Sequence, residues 1–196
     1  TIDSADDAST DSTPWTIKGN NIRLSHADVV YALSGHSPNK GLDTDYIALS
    51  DLNIAVDSFL NCGTELVVPL KNLSVGERCG LKITDMHGNF AMDSTGIFIN
   101  GLMMTTDKSS LSGNASVDRN IYDADKIKNA LFTTDLNADI ALSDVLLLYP
   151  AAGYFLNAIK SSSVKTVLTA NGSINKISID HLDFSLDNIA KIAAKG

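Results

Sequence analysis

The sequence predicts a mainly β protein: a curved antiparallel meander sheet forming a taco-like β-groove, with one or two short helices. Three observations carry this. An eight-residue pattern, apolar-x-apolar-polar-polar-apolar-x-apolar, recurs along the chain. Short turns such as Asn61-Cys62-Gly63, Ser94-Thr95-Gly96 and Asp107-Lys108 separate consecutive strand-like runs, as a meander of antiparallel neighbours requires. The chain is 44% apolar but only 6% aromatic, with one tryptophan, so its apolar surface is built from Leu, Ile, Val and Met.

The pattern is strict at Ile22-Arg23-Leu24-Ser25-His26-Ala27-Asp28-Val29, at Val68-Pro69-Leu70-Lys71-Asn72-Leu73-Ser74-Val75 and at Ile177-Ser178-Ile179-Asp180-His181-Leu182-Asp183-Phe184. Chance would give roughly one strict match in a chain of this composition. The copy from Ile47 to Ile54 departs only at Ala48, and looser copies start at Leu81, Ile97 and Ile140. Each half alternates with period two, the mark of a strand with one dry face. The central polar pair shifts that parity by one residue, which would turn the second half to the opposite face. A bulge or bend at the pair restores the facing and curls the strand around its apolar side. Strands of this kind laid side by side make a gutter.

Taken in order, residues 1–14 are acidic and rich in Ser, Thr and Asp, a composition that predicts a disordered linker. The β-groove domain is expected over 15–186. Its strands fall near 15–19, 22–33, 44–59, 65–75, 80–92, 96–105 and 109–117. A charged stretch from Asp118 to Ala130 breaks the rhythm as a loop or short helix. Strand character returns over 131–142, followed by a helical interruption near 144–160 with Ser143 or Asp144 as N-cap and a break at Pro150. The copy of the pattern at Ile140 therefore runs from strand into helix. Strands at 164–174 and 176–186 follow, and 187–196 reads as a truncated strand, a helical turn or a frayed tail.

The formal net charge of -8 in 196 residues argues against nucleic acid and against electrostatic docking on anionic headgroups. No run approaches the roughly 18 apolar residues of a membrane helix. The chain does not begin with Met and shows no basic, then apolar leader, so it is expected to be a mature form or a piece of something longer. Cys62 and Cys79 each precede a glycine; a disulfide between them and two free thiols are both open.

Catalytic chemistry finds little support. His26 and His181 occupy the same bend position of two copies, His87 has no second histidine at ligand spacing, and His36 lies in a Gly/Pro/Asn-rich loop. Neither Asp43-Thr44-Asp45 nor Asp123-Ala124-Asp125 has the glycine and distal glutamate of a calcium loop. There is no G-x-S-x-G and no phosphate loop. The expectation is a non-enzyme with no catalytic residue, no metal and no cofactor.

Several stretches together resemble a family: Pro14–Ser25 (PWTIKGNNIRLS), Leu49–Leu52 (LSDL), Phe90–Gly96 (FAMDSTG), Leu111–Val117 (LSGNASV), and Val167–Ile179 with Leu182–Leu186. They look like the AsmA-like proteins, closest to the translocation and assembly module TamB-type proteins of Bacteroidetes, over roughly residues 14–190. The resemblance implies an internal periplasmic fragment, anchored to the inner membrane through a segment absent from this chain. It implies lipid transport or protein secretion and assembly in outer-membrane biogenesis. The implied partners are phospholipid acyl chains and outer-membrane assembly proteins, and a fragment of this kind could also self-associate.

Pattern and resemblance meet in one inferred lining for an acyl-chain path: Leu49, Leu52, Ile54, Val68, Leu70, Leu73, Val75, Ile83, Met86, Ile97, Ile99, Leu102 and Met104. Aliphatic and thioether side chains give contact without polar traps. Two other classes compete. In a structural or adhesive β-sandwich the same stripe would be packed against a second sheet or the 144–160 helix. In a β-helix enzyme acting on polysaccharide, paired carboxylates on a sheet face would do the chemistry.

Overall fold

The computed structural model describes residues 15–187 and 189–196; the expected linker over 1–14 lies outside them. All ten strands belong to one sheet, in the order of the sequence. They are β1 (Thr16–Ala32), β2 (Tyr46–Cys62), β3 (Glu65–Glu77), β4 (Lys82–Met92), β5 (Gly96–Thr106), β6 (Ser110–Asp118), β7 (Phe132–Ala141), β8 (Ser163–Ser173), β9 (Lys176–Leu186) and β10 (Ala190–Lys195). Every pairing is antiparallel and joins neighbours in sequence. The first and last strands do not meet, so the sheet is curved and unclosed. Among the described residues there is no second sheet, as a sandwich would need, and no parallel coil, as a β-helix would need.

The polar pairs sit where the ladder slips. The register shifts between Leu24 and Ala27 in β1, between Ser50 and Asn53 in β2, across Lys71 in β3, across Thr84 in β4, between Ile99 and Leu102 in β5 and across Asp180 in β9. Three second members of the pair have left-handed backbone: His26 (φ 52), Asp51 (φ 49) and Gly101 (φ 62). A one-residue bulge adds an unpaired residue and increases local twist, which keeps both apolar halves on one face. The Ile140 copy does not bulge; it enters the helix.

Two expectations are corrected, and of the two states left open for the cysteines the structure has the free thiols. The breaks at Asn20-Asn21 and around 19–22 do not divide the first strand, because Asn21 takes a positive φ of 54 and the strand runs through. Helix α1 (Leu142–Leu148) is capped by Ala141 without a side-chain bond; Ser143 and Asp144 lie inside it. Asp144 is drawn away from capping because its Oδ2 accepts hydrogen bonds from Thr106 Oγ1 at 2.6 Å and Ser109 Oγ at 2.7 Å. Cys62 and Cys79 are free. They end opposite ends of the 13-residue β3 region, roughly 40 Å apart along the strand at about 3.3 Å per residue, far beyond disulfide reach.

After α1, Pro150–Ala152 forms a 3₁₀ turn, α2 covers Gly153–Leu156, and another 3₁₀ turn spans Asn157–Ile159. The segment from Asp118 to Ala130 carries two 3₁₀ turns, Arg119–Tyr122 and Ile127–Asn129. The 187–196 tail, left open in the sequence, contains a tenth strand paired with β9.

Helix α1 straps one rim of the sheet. Leu142 N bonds Ser162 O beside the β7–β8 end, and Asp144 holds the β5–β6 turn. Leu147 stands over Gly80 in the β3–β4 turn, and Leu148 O accepts from Leu42 N in the β1–β2 loop. Arg78, just past β3, donates to the Asn39 carbonyl of that loop at 2.8 Å. From β3 to β7 is four strand spacings, roughly 19 Å along the sheet, whereas Leu142 to Leu148 rises roughly 9 Å. The helix is a chord across the curled sheet, with the β1–β2 loop leaning in to meet it.

Candidate functional site

Cross-strand partners share a face, so the register assigns the inferred lining directly. Ile22, Val56, Leu70 and Gly88 form one row, and Leu24, Ile54 and Leu73 the next. Val29 faces Leu49, and Val75 faces Ile83. Val68, Phe90 and Ile99 align, as do Met92 with Ile97, Met86 with Met104, and Leu102 with Gly113. With Leu52 two residues from Ile54, all thirteen residues of the inferred lining stand on one side of the sheet. Leu52 and Val75 are buried, and the other eleven are half-buried.

This is the inner face. Every buried apolar strand residue, Leu52, Val56, Val75, Ala138 and Ala170, belongs to it, and Thr106, which holds α1 through Asp144, lies on it opposite Ile83. No large side chain among the described residues is fully buried. A row of uncharged side chains thus remains half open to solvent, because nothing in the described chain covers it.

The face also extends past the inferred lining. Leu102, Gly113, Leu136, Leu168 and Leu182 form one row, and Met104, Leu111, Ala138, Thr166 and Phe184 another. Leu182 and Phe184 belong to the strict copy from Ile177, but the template missed the members from β7, which alternates without a polar step: Phe132, Thr134, Leu136, Ala138 and Ile140 follow plain period two. Simple alternation would have found them. Small residues matter here. Beside Ala115 and Thr134 the face sinks into a hollow of about 240 Å³ walled by Ile97, Ile99, Val117 and Phe132. That is smaller than a pocket enclosing a whole drug-sized ligand and suits part of a chain-like molecule.

The opposite, outer face is mainly polar, with Val67, Ala91 and Phe98 as an apolar row within it. Asp85, Thr105, Ser110, Asp139, Lys165, Ser185 and Lys191 lie in one row across β4–β10. Ion pairs join Lys71 to Asp57 at 3.1 Å and Lys165 to Asp139 at 3.5 Å. A larger hollow of about 570 Å³ lies over β8–β10, lined by Lys165, Asp183, Ser185 and Lys191 among others. Val167 and Ala193 line it as well, so its wall mixes charged and apolar side chains, and it lies off the inner face.

Each of the four histidines sits against an aspartate: His26 with Asp51, His36 with Asp43, His87 with Asp85 and His181 with Asp183. The His36, Asp43 and Asp45 side chains come within 4.8 Å of one another. Asp43 is nearly buried, and its oxygens accept from His36 Nε2 and from the backbone N–H groups of Asn39 and Asp45. The Asn39 N–H and then the imidazole hold its carboxyl well below the usual carboxylate range. These bonds account for the cluster as a staple of the β1–β2 loop. Burial, with Glu77 beside it, raises the Cys79 thiol above its ordinary value, the opposite of an activated nucleophile.

No family model, curated protein or solved structure matches this chain.

Proposed function

We propose that the inner face is a non-enzymatic path for phospholipid acyl chains, and that the chain is a periplasmic segment of an AsmA-like, TamB-type protein acting in outer-membrane biogenesis. One observation carries the reading: a continuous, mainly apolar face, with Glu77 at one rim opposite Leu49, runs across a single unclosed sheet and is left half-exposed. Transfer along such a face needs no bond chemistry, only contacts of similar strength from row to row. Leu, Ile, Val and Met supply these, and the polar outer face keeps the sheet wet on its convex side. Each added strand lengthens the path by about 4.8 Å.

A photo-reactive residue placed at Ile99 or at Phe98 tests it, with the chain expressed in the periplasm of a Gram-negative host. Both native residues are apolar, but Ile99 lines the inner hollow and Phe98, opposite Ser116, points outward. Phospholipid adducts at Ile99 and not at Phe98 are expected. Equal labelling at both positions, or protein adducts alone at Ile99, would move the reading to a structural domain.

A further inference from the structure

The two edges of the sheet are built differently. β10 is short, six residues, and carries Lys191 and Lys195, the usual protection of an edge against pairing. β1 is 17 residues long, contains no proline, and has Ile17, Val30 and Tyr31 more than half exposed. Its only neighbour is β2, so the backbone groups on its far side lack a ladder partner among the described residues. An edge this long and this apolar is a pairing template.

We infer that β1 pairs with β1 of a second copy of this chain, antiparallel, about a two-fold axis between Ser25 and His26. The inference comes from the symmetry of the pattern itself. Apolar-x-apolar-polar-polar-apolar-x-apolar reads the same in both directions, so an antiparallel copy aligns with itself. Ile22 of one chain then faces Val29 of the other, Leu24 faces Ala27, and Arg23 faces Asp28. By the symmetry of the axis the Arg23–Asp28 pairing occurs twice, on the outer face. The bulges of the two copies fall together on the axis. β1 and β2 already bulge side by side in this way, with His26 N donating to Asn53 Oδ1 at 3.0 Å and His26 Nδ1 2.6 Å from Asp51. Pairing of β1 with β10 of another copy fits less well, because it sets Lys18 and Arg23 against two lysines along a strand one-third as long.

An antiparallel pair of neighbouring strands has its axis perpendicular to the sheet. Both inner faces therefore lie on the same side, and the two gutters join into one surface twice as wide. The pairing follows from the edge and does not depend on what the inner face carries.

Sedimentation velocity of the full 196-residue chain over a wide concentration range reads the association, alongside Arg23→Asp, Asp28→Arg and the double variant. Wild type is expected to dimerise. Arg23→Asp places like charges opposite each other twice and should weaken the dimer roughly tenfold; the double variant should restore it. Asp28→Arg also loses the bond that Asp28 accepts from Asp51 N, so its fold is checked by thermal melting and Arg23→Asp decides between the single variants. A chain that stays monomeric at every concentration, or a dimer that Arg23→Asp leaves unchanged, overturns the inference. So does a double variant no tighter than Arg23→Asp.

Discussion

The imidazole of His26 and the carboxylate of Asp51 meet at 2.6 Å, and both residues have left-handed backbone, with φ of 52 and 49. The contact ties the bulge of β1 to the bulge of β2. It is exposed on both sides, so it registers two irregular strands more than it stabilises them. The imidazole is the first cause holding the Asp51 carboxyl below its ordinary value. The contribution is therefore present above the ordinary carboxylate range and fades as pH falls through the depressed value.

Backbone at the bulges yields a paired prediction. Gly101 has φ 62, with open space where a Cβ would stand, so Gly101→Ala should cost about 1 kcal/mol from conformation alone. Gly113 has φ 149, and a Cβ there would overlap the Asp135 carbonyl oxygen. Gly113→Ala should cost more, about 2–4 kcal/mol, by forcing β6 from β7. Urea unfolding of the two variants measures the difference.

Asp144 anchors the strap. Asp144→Ala leaves the Thr106 and Ser109 hydroxyls without their buried acceptor and should destabilise by about 2 kcal/mol. Hydrogen exchange should rise over 142–148 and the β5–β6 turn first. Uniform exchange along the sheet would mean that α1 does not brace the rim.

Asp43→Asn should lower the melting temperature by several degrees at neutral pH, because it removes the charge and turns one of the two oxygens that accept from His36, Asn39 and Asp45 into an NH2 donor. The Asp43 carboxyl lies below its ordinary 3.8 in the fold, so its ionised form stabilises the fold above that value. That stabilisation is lost as pH falls toward the depressed one. The gap between wild type and variant should hold from pH 7 down to about 5 and narrow below about 4. A gap that widens with acid would contradict the loop staple.

Core substitution should separate the faces. Leu52, 7% exposed, lies on the inner face; Leu52→Ala should cost about 2–3 kcal/mol. Val167, on the outer face opposite Asn137 and Asp183, should tolerate Val167→Ala within about 0.5 kcal/mol. Chemical denaturation of both variants measures the asymmetry.

The part of the fold legible in the sequence follows from periodicity. The polar pairs Ser25-His26, Ser50-Asp51 and Asn100-Gly101 announced bulges because parity leaves no other way to keep both apolar halves dry. Meander order followed from turn length. What escaped was tertiary. Ser143 and Asp144 look like caps until Thr106 and Ser109, more than thirty residues away in sequence, claim the Asp144 carboxylate. The Asn20-Asn21 step looks like a turn, yet Asn21 absorbs a positive φ and pairing with β2 carries the strand through. The inner residues of β6–β8 stayed hidden because Gly113, Ala115, Ala138 and Ala170 shape the face by being small, and an apolar-size pattern does not register a missing side chain.

Because each strand pairs only with those next to it in sequence, the fold has no strand inserted between two others. Contacts of low sequence separation close small loops, so such a chain can zip from any hairpin outward and come apart the same way. The strap alters this on one side only. The connections from β1 to β7 are held by α1 as well as by the ladder, whereas β9 and β10 add to the ladder only exposed side-chain bonds such as Ser163 to Asp187 and Asn171 to Asp180. Loss of structure should therefore begin at the carboxyl-terminal strands and pause at β8, leaving a shorter gutter that is still folded.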